Sequence, residues 1–125
     1  MTDLAEYFEN TKGIGVLGTA DEDGAVDLAL YARPHVVDKT TVAFIMGDRL
    51  SHQNLESNPN AAYLFVEAGD GYRGKRLHLT QIREDTDPQR IEAMRREGRK
   101  DHDYGDAKRF LVYFRVEKVR PLVGD

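Results

Sequence analysis

Short runs of alternating apolar and polar residues, separated by Gly- and Asp-rich turns, fill most of this 125-residue chain. That pattern constrains the fold more than any other feature. A period of two puts successive side chains on opposite faces of a strand, so each run has one side to bury. Residues 14–20 form the first run and end in the acidic turn Asp21-Glu22-Asp23-Gly24. The return run, 25–33, places Val26, Leu28, Leu30 and Ala32 on one face and Asp27, Ala29, Tyr31 and Arg33 on the other. Pro34 then limits further pairing. A short piece at 35–37 leads through Asp38-Lys39-Thr40 into 41–46, which is apolar along nearly its whole length and so predicts burial on both faces. Residues 61–67, 76–83 and 109–122 continue the series.

Three short helices are predicted between the strands. Leu4, Tyr7, Phe8 and Thr11 follow a 3.6-residue period, with Thr2 placed to cap the start and Gly13 to end it. Leu50, Asn54 and Leu55 give a second helix, with Ser51 as candidate N-cap and Pro59 beyond its end. Asp87-Pro88 starts a third, which has a narrow apolar stripe from Ile91 and Met94 and ends at Gly98. The charged stretch 99–108 reads as a loop. Six or seven strands in hairpin-like succession do not make alternating βαβ units. The expected fold class is mainly β, an antiparallel barrel or sandwich with peripheral helices, in a single domain spanning 1–125. Strands apolar on both faces imply a second buried surface, and a homodimer is its economical source in so short a chain.

Composition narrows the chemistry. The formal charge is −4, which disfavours nucleic acid as a partner. No run of about 20 apolar residues exists, so no membrane span is expected. The first residues lack the basic and apolar segments of a secretion signal, giving a cytoplasmic expectation. The chain has no cysteine, which removes thiolate metal sites and cysteine nucleophiles. His35, His52, His78 and His102 show no metal-ligand spacing, and Asp101-His102-Asp103 reads as surface loop. Gly13-Ile14-Gly15-Val16-Leu17-Gly18 matches G-x-G-x-x-G in letters only. A helix precedes it and a strand runs through it, the inverse of the dinucleotide context, so the glycines serve strand bending or close packing. Asp48-Arg49-Leu50-Ser51-His52-Gln53-Asn54 is more informative. It joins a buried strand to a helix start, where free N–H groups and the Arg49 fork suit an anion, although an ordinary capped helix explains it equally well. Arg76 begins an alternating strand. It is either part of a solvated face with Arg73 and Lys75 or an inward cation beside His78.

Several stretches, taken in order, carry a family resemblance. They are Gly15-Val16-Leu17-Gly18-Thr19-Ala20 with the Asp23-Gly24 turn, Leu28-Ala29-Leu30-Tyr31-Ala32-Arg33, Val42-Ala43-Phe44-Ile45, and Ser51-His52-Gln53-Asn54-Leu55-Glu56-Ser57-Asn58-Pro59 running into Ala62-Tyr63-Leu64-Phe65. Together they resemble the pyridoxamine 5′-phosphate oxidase-like, FMN-binding split-barrel family. The resemblance implies a six-stranded antiparallel split barrel of Greek-key type, forming a homodimer with FMN at the subunit interface. It implies ring contacts from Leu30, Tyr31, Ala32 and Arg33, and from Phe44 and Ile45. It implies a phosphate site at Arg49, Leu50, Ser51 and His52, and a polar ring contact near Arg76. The family's oxidases place a basic pair at the phosphate loop, where this chain has Leu50-Ser51 after Arg49. Their C-terminal Trp and Arg-His-Arg pattern is also absent. The implied activity is therefore that of a small FMN-dependent oxidoreductase acting on a small molecule, other than pyridoxamine phosphate oxidase. A non-catalytic flavin carrier and a ligand-free structural dimer are the alternatives.

Overall fold

The structure is a computed structural model, and it describes residues 3–96 and 108–124. The expected end of the third helix at Gly98, the loop at 99–107 and Asp101-His102-Asp103 lie outside the described residues. In chain order the elements are α1 (Leu4–Asn10), β1 (Gly13–Ala20), β2 (Val26–Leu30), β3 (His35–Asp38), β4 (Thr41–Gly47), α2 (Leu50–Ser57), β5 (Asn60–Glu67), β6 (Gly74–Asp85), α3 (Pro88–Arg96) and β7 (Arg109–Pro121). All seven strands join one antiparallel sheet in the order β2-β1-β5-β6-β7-β4-β3.

The sheet curls around its own core. Leu17 of β1, Phe44 of β4, Phe65 of β5, Leu77 of β6 and Phe114 of β7 belong to one buried cluster, although their strands span the sheet. Curvature is concentrated in the longest pair. The β6–β7 register shifts twice, between His78 and Leu79 and between Gln81 and Arg83, as bulges do where a sheet turns a corner. Helix α1 closes one end with Phe8. The Phe8 ring meets Tyr7, Tyr63 and Phe65 edge-on at centroid distances of 5.1, 6.3 and 5.3 Å. Such edge contacts add about 0.5–1.5 kcal/mol each beyond simple burial.

Strand β4 is buried on both faces, as its composition predicts, but by different neighbours. Val42, Phe44 and Met46 face the core. Ala43 and Ile45 join Leu111 and Tyr113 of β7 under Ile91 and Met94 of α3. The second surface of these two strands is thus covered within the chain by α3, not by a second copy. Elsewhere the convex face is bare. Leu28, Leu30 and Val26 of β2 are 69, 75 and 73% exposed, and Ile14 of β1 is 63% exposed.

Local caps differ from the sequence reading in two places. Asp3 caps α1 through its side chain, which accepts from the Glu6 N–H at 3.2 Å, while the expected cap Thr2 lies outside the described residues. Helix α2 is capped by Arg49, whose side chain makes no capping bond, and Ser51 is its second residue. The turn after β1 behaves as expected of a hairpin. The Asp21 carboxylate accepts from the N–H groups of Asp23 and Ala25, and Gly24 takes a φ of 84°. Gly15 is required for space. A Cβ there would lie 1.8 Å from the Tyr63 hydroxyl and 2.6 Å from the Tyr31 carbonyl oxygen. Gly15→Ala is expected to lower stability by about 3 kcal/mol, read as a fall in the urea midpoint at unchanged m-value.

Candidate functional site

The bare convex face is continuous across three strands. Cross-strand partners share a face, so the register lines up Leu30, Val16, Leu64 and Arg76 in one row. Leu28, Gly18, Ala62 and His78 form the next. Strand β7 extends these rows with Arg120 opposite Arg76 and Lys118 opposite His78. The result is an apolar platform on β2, β1 and β5, bordered by a cationic strip on β6 and β7.

Helix α2 packs against β1 and β2 from the core side, where Tyr31 sits on the face of β2 opposite Leu28 and Leu30. Gln53 donates the first helical bond to the Arg49 carbonyl at 2.9 Å, so the N–H groups of Leu50, Ser51 and His52 have no acceptor within the helix. No side chain caps them from Arg49. Tyr31 links the two parts. Its phenol feels the Ser51 hydroxyl, the Arg49 guanidinium and the Asp27 carboxylate electrostatically. Burial pushes the Tyr31 phenol above the usual tyrosine range. Ser51 and Arg49 pull the other way, and Asp27 adds to the rise. A phenol held in this way stays protonated at neutral pH and can donate. This end of the barrel therefore offers the half-buried Tyr31 phenol, the exposed Arg49 and free helix N–H groups, with the Ser51 hydroxyl buried among them. That donor set suits an anionic oxygen group attached to a flat apolar body.

The residues singled out in the sequence fall in different places. Tyr31, Arg49 and Ser51 interact electrostatically at this junction, Leu30 faces the opposite, convex side, and Ala32 is exposed. Phe44 is 3% exposed and points into the barrel, where it supports the Tyr31 ring edge-on at 5.8 Å. Ile45 points the opposite way and is covered by α3. His52 is buried behind the junction. Its ring stacks on Phe110 at 3.8 Å, and Nε2 lies 2.9 Å from a Glu84 oxygen. Nδ1 is buried without a hydrogen-bond partner, and the nearest carboxylate oxygens, of Asp48 and Glu56, are 3.8 and 3.9 Å away. This histidine ties α2 to β6 and β7.

Two arginines are engaged away from the junction. Arg33 donates to the carbonyls of Phe8 and Thr11 at 2.6 and 2.9 Å, which satisfies the open end of α1. Arg76 faces outward with His78, not into the barrel, and its guanidinium donates to the Pro121 carbonyl at 2.8 Å and to the Gly124 carbonyl. Three interstrand steps separate it from Leu30, roughly 14 Å within one chain.

The sequence reading did not single out Tyr63 or Asn54. The Tyr63 side chain is fully buried, and its hydroxyl lies 3.1 Å from both the Tyr31 and the Ala32 carbonyl oxygens, its one proton shared between them. Asn54 fastens α2 to β1 by donating to the Thr19 hydroxyl at 3.1 Å. The signal for Tyr63 was the glycine two positions before its cross-strand partner Leu17, which makes room for the phenol. Arg33→Ala removes two charge-assisted bonds to orphan helix carbonyls. Stability is expected to fall by about 2–3 kcal/mol in thermal or urea unfolding, with the α2 junction unchanged.

No family model matches this sequence, and no curated protein does. Solved structures match along almost the whole chain. HupZ of Group A Streptococcus is 21% identical with a TM-score of 0.73, covering 98% of this chain and 94% of its own. An FMN-binding protein of Syntrophomonas wolfei subsp. wolfei is 14% identical with a TM-score of 0.72, over 98% of this chain and 88% of its own. A Clostridium acetobutylicum protein related to general stress protein 26, described as of the pyridoxinephosphate oxidase family, is 15% identical with a TM-score of 0.66, over 93 and 83%. The fold of this chain is that of the pyridoxamine 5′-phosphate oxidase-like split barrels.

Proposed function

We propose that this protein binds FMN as a homodimer and acts as a small flavin-dependent oxidoreductase other than pyridoxamine phosphate oxidase. One observation carries the reading: the α2 N-terminus, which no side chain caps, carries Arg49 and packs beside β2, whose convex face exposes Leu28 and Leu30. A phosphate monoester fits the first and a planar ring the second. The presence of an FMN-binding protein among the structures of like fold supports the choice of ligand. Bound flavin would supply the hydride and electron transfer that this cysteine-free chain's own side chains do not provide. The chain's part is to hold the phosphate at Arg49 and Ser51 and to exclude water over Leu28 and Leu30. The chain contains no tryptophan, which sets it apart from the resemblance's oxidases.

The dimer rests on the same plane. Val26, Leu28, Leu30 and Ile14 are each more than 60% exposed and contiguous, an arrangement that marks an interaction surface. A second copy laid on it covers the apolar rows. Leu30→Asp is expected to give monomers at micromolar concentration in analytical ultracentrifugation. A dimer that survives this change places the interface elsewhere.

The central test is the absorption spectrum of freshly purified protein, followed by an FMN titration. Flavin bands or micromolar affinity support the proposal, and colourless protein that fails to bind micromolar FMN overturns it. Arg49→Ala is expected to weaken FMN binding about tenfold, because it removes a charge-assisted contact to phosphate. Unchanged affinity refutes the phosphate assignment. Bound flavin that NAD(P)H never reduces and no acceptor reoxidises makes the protein a carrier.

A further inference from the structure

The segment after β2 is held from below by one buried group. The Tyr63 side chain is fully buried, on the inward face of β5 opposite Leu17. Its ring is fixed on several sides, with Phe44 at 5.1 Å, Phe8 at 6.3 Å and Phe65 at 6.5 Å between centroids. Its hydroxyl passes through the space left by Gly15 and shares its one proton between two consecutive carbonyls, those of Tyr31 and Ala32. The Tyr31 N–H is fixed separately by the Gly15 carbonyl at 3.0 Å.

The consequence follows from the peptide unit itself. In a trans peptide the C=O and the following N–H point in opposite directions, and this chain has no cis bonds among its described residues. Drawing the Tyr31 and Ala32 carbonyls toward the barrel interior turns the N–H groups of Ala32 and Arg33 away from it. Ala32 is exposed, so these donors lie at the solvent side of the site, next to Leu30 and the Tyr31–Ser51 junction. Two neighbouring N–H groups of one orientation match a heteroaromatic edge that carries adjacent acceptors.

We propose that Tyr63 is a positioning residue of the ligand site: its hydroxyl orients the 31–33 backbone so that the Ala32 and Arg33 N–H groups face the acceptor edge of the ligand's ring. This inference rests on the flavin reading above. It assigns ring recognition to a side chain that does not touch the ligand, and it separates that role from phosphate recognition at Arg49.

Tyr63→Phe keeps the ring and removes only the hydroxyl. FMN and riboflavin, which lacks the phosphate, are titrated into the wild-type dimer, Tyr63→Phe and Arg49→Ala by fluorescence. The expected pattern is a rise of about tenfold in the dissociation constants of both ligands for Tyr63→Phe, and of FMN alone for Arg49→Ala. Equal affinity of wild type and Tyr63→Phe for both ligands overturns the inference, even if the variant is less stable. Loss of FMN affinity with riboflavin affinity unchanged also overturns it. Should Tyr63→Phe fail to fold, amide spectra of ¹⁵N-labelled wild type decide the matter. Ala32 and Arg33 amide signals that shift on saturation with FMN support the inference, and signals that stay fixed overturn it. Wild type that binds neither ligand overturns the flavin reading and this inference with it.

Discussion

A sheet that curls around its own core buries its concave side and leaves a convex side to be covered by something else. That inequality governs this molecule. Seven strands close around Leu17, Phe44, Phe65, Leu77 and Phe114. On the convex side α3 protects β4 and β7 through Ile91 and Met94. Its described residues pack on those strands, and among the described residues Ile14, Val26, Leu28 and Leu30 of β1 and β2 keep an apolar surface open. The polar start of α2 lies beside the same strands on the core side. The site is therefore a by-product of incomplete coverage, sharpened by a few donors beside it.

The donors act at two levels. Arg49 is exposed at the start of α2, whose first N–H groups have no side-chain cap. Behind them stand groups that never reach solvent. Tyr63 fixes two carbonyls after β2, His52 pins α2 to β6 and β7, and Asn54 pins it to β1. Burial makes these contacts exacting, because a lost hydrogen bond inside a dry barrel leaves its partner unsatisfied. The resulting rigidity is located where β2 ends and α2 begins, the two places that a bound ligand would have to share.

Much of this was legible in the sequence, for reasons that can be named. Alternation in 109–121 separates Phe110, Val112 and Phe114 from Leu111 and Tyr113, and the structure keeps that division. The apolar run of β4 announces two buried faces, but a run of letters does not say which neighbour covers the second. The sequence reading looked to a partner chain, and α3 supplies the cover. Strand positions were also clearer than the reach of long side chains. Arg33 and Arg76 lie where the reading put them along the chain, yet their guanidinium groups extend to the end of α1 and to the C-terminal carbonyls. Tyr63 escaped notice because an aromatic on a strand reads as core. Its hydroxyl gains meaning only when Gly15 and the Tyr31 carbonyl are brought beside it.

The strand order has a temporal consequence. Strand β4 pairs with β3 on one side and with β7 on the other, and its register with β7 joins Thr41 to Arg115. More than seventy residues separate those partners, and β7 follows every other strand in the chain. During synthesis the inner edge of β4 must wait, unpaired and apolar, until the last strand leaves the ribosome. Contacts of such long sequence separation are slow to form. The barrel can thus close only after β7 is available, and until then its most hydrophobic strand is the segment most in need of shelter.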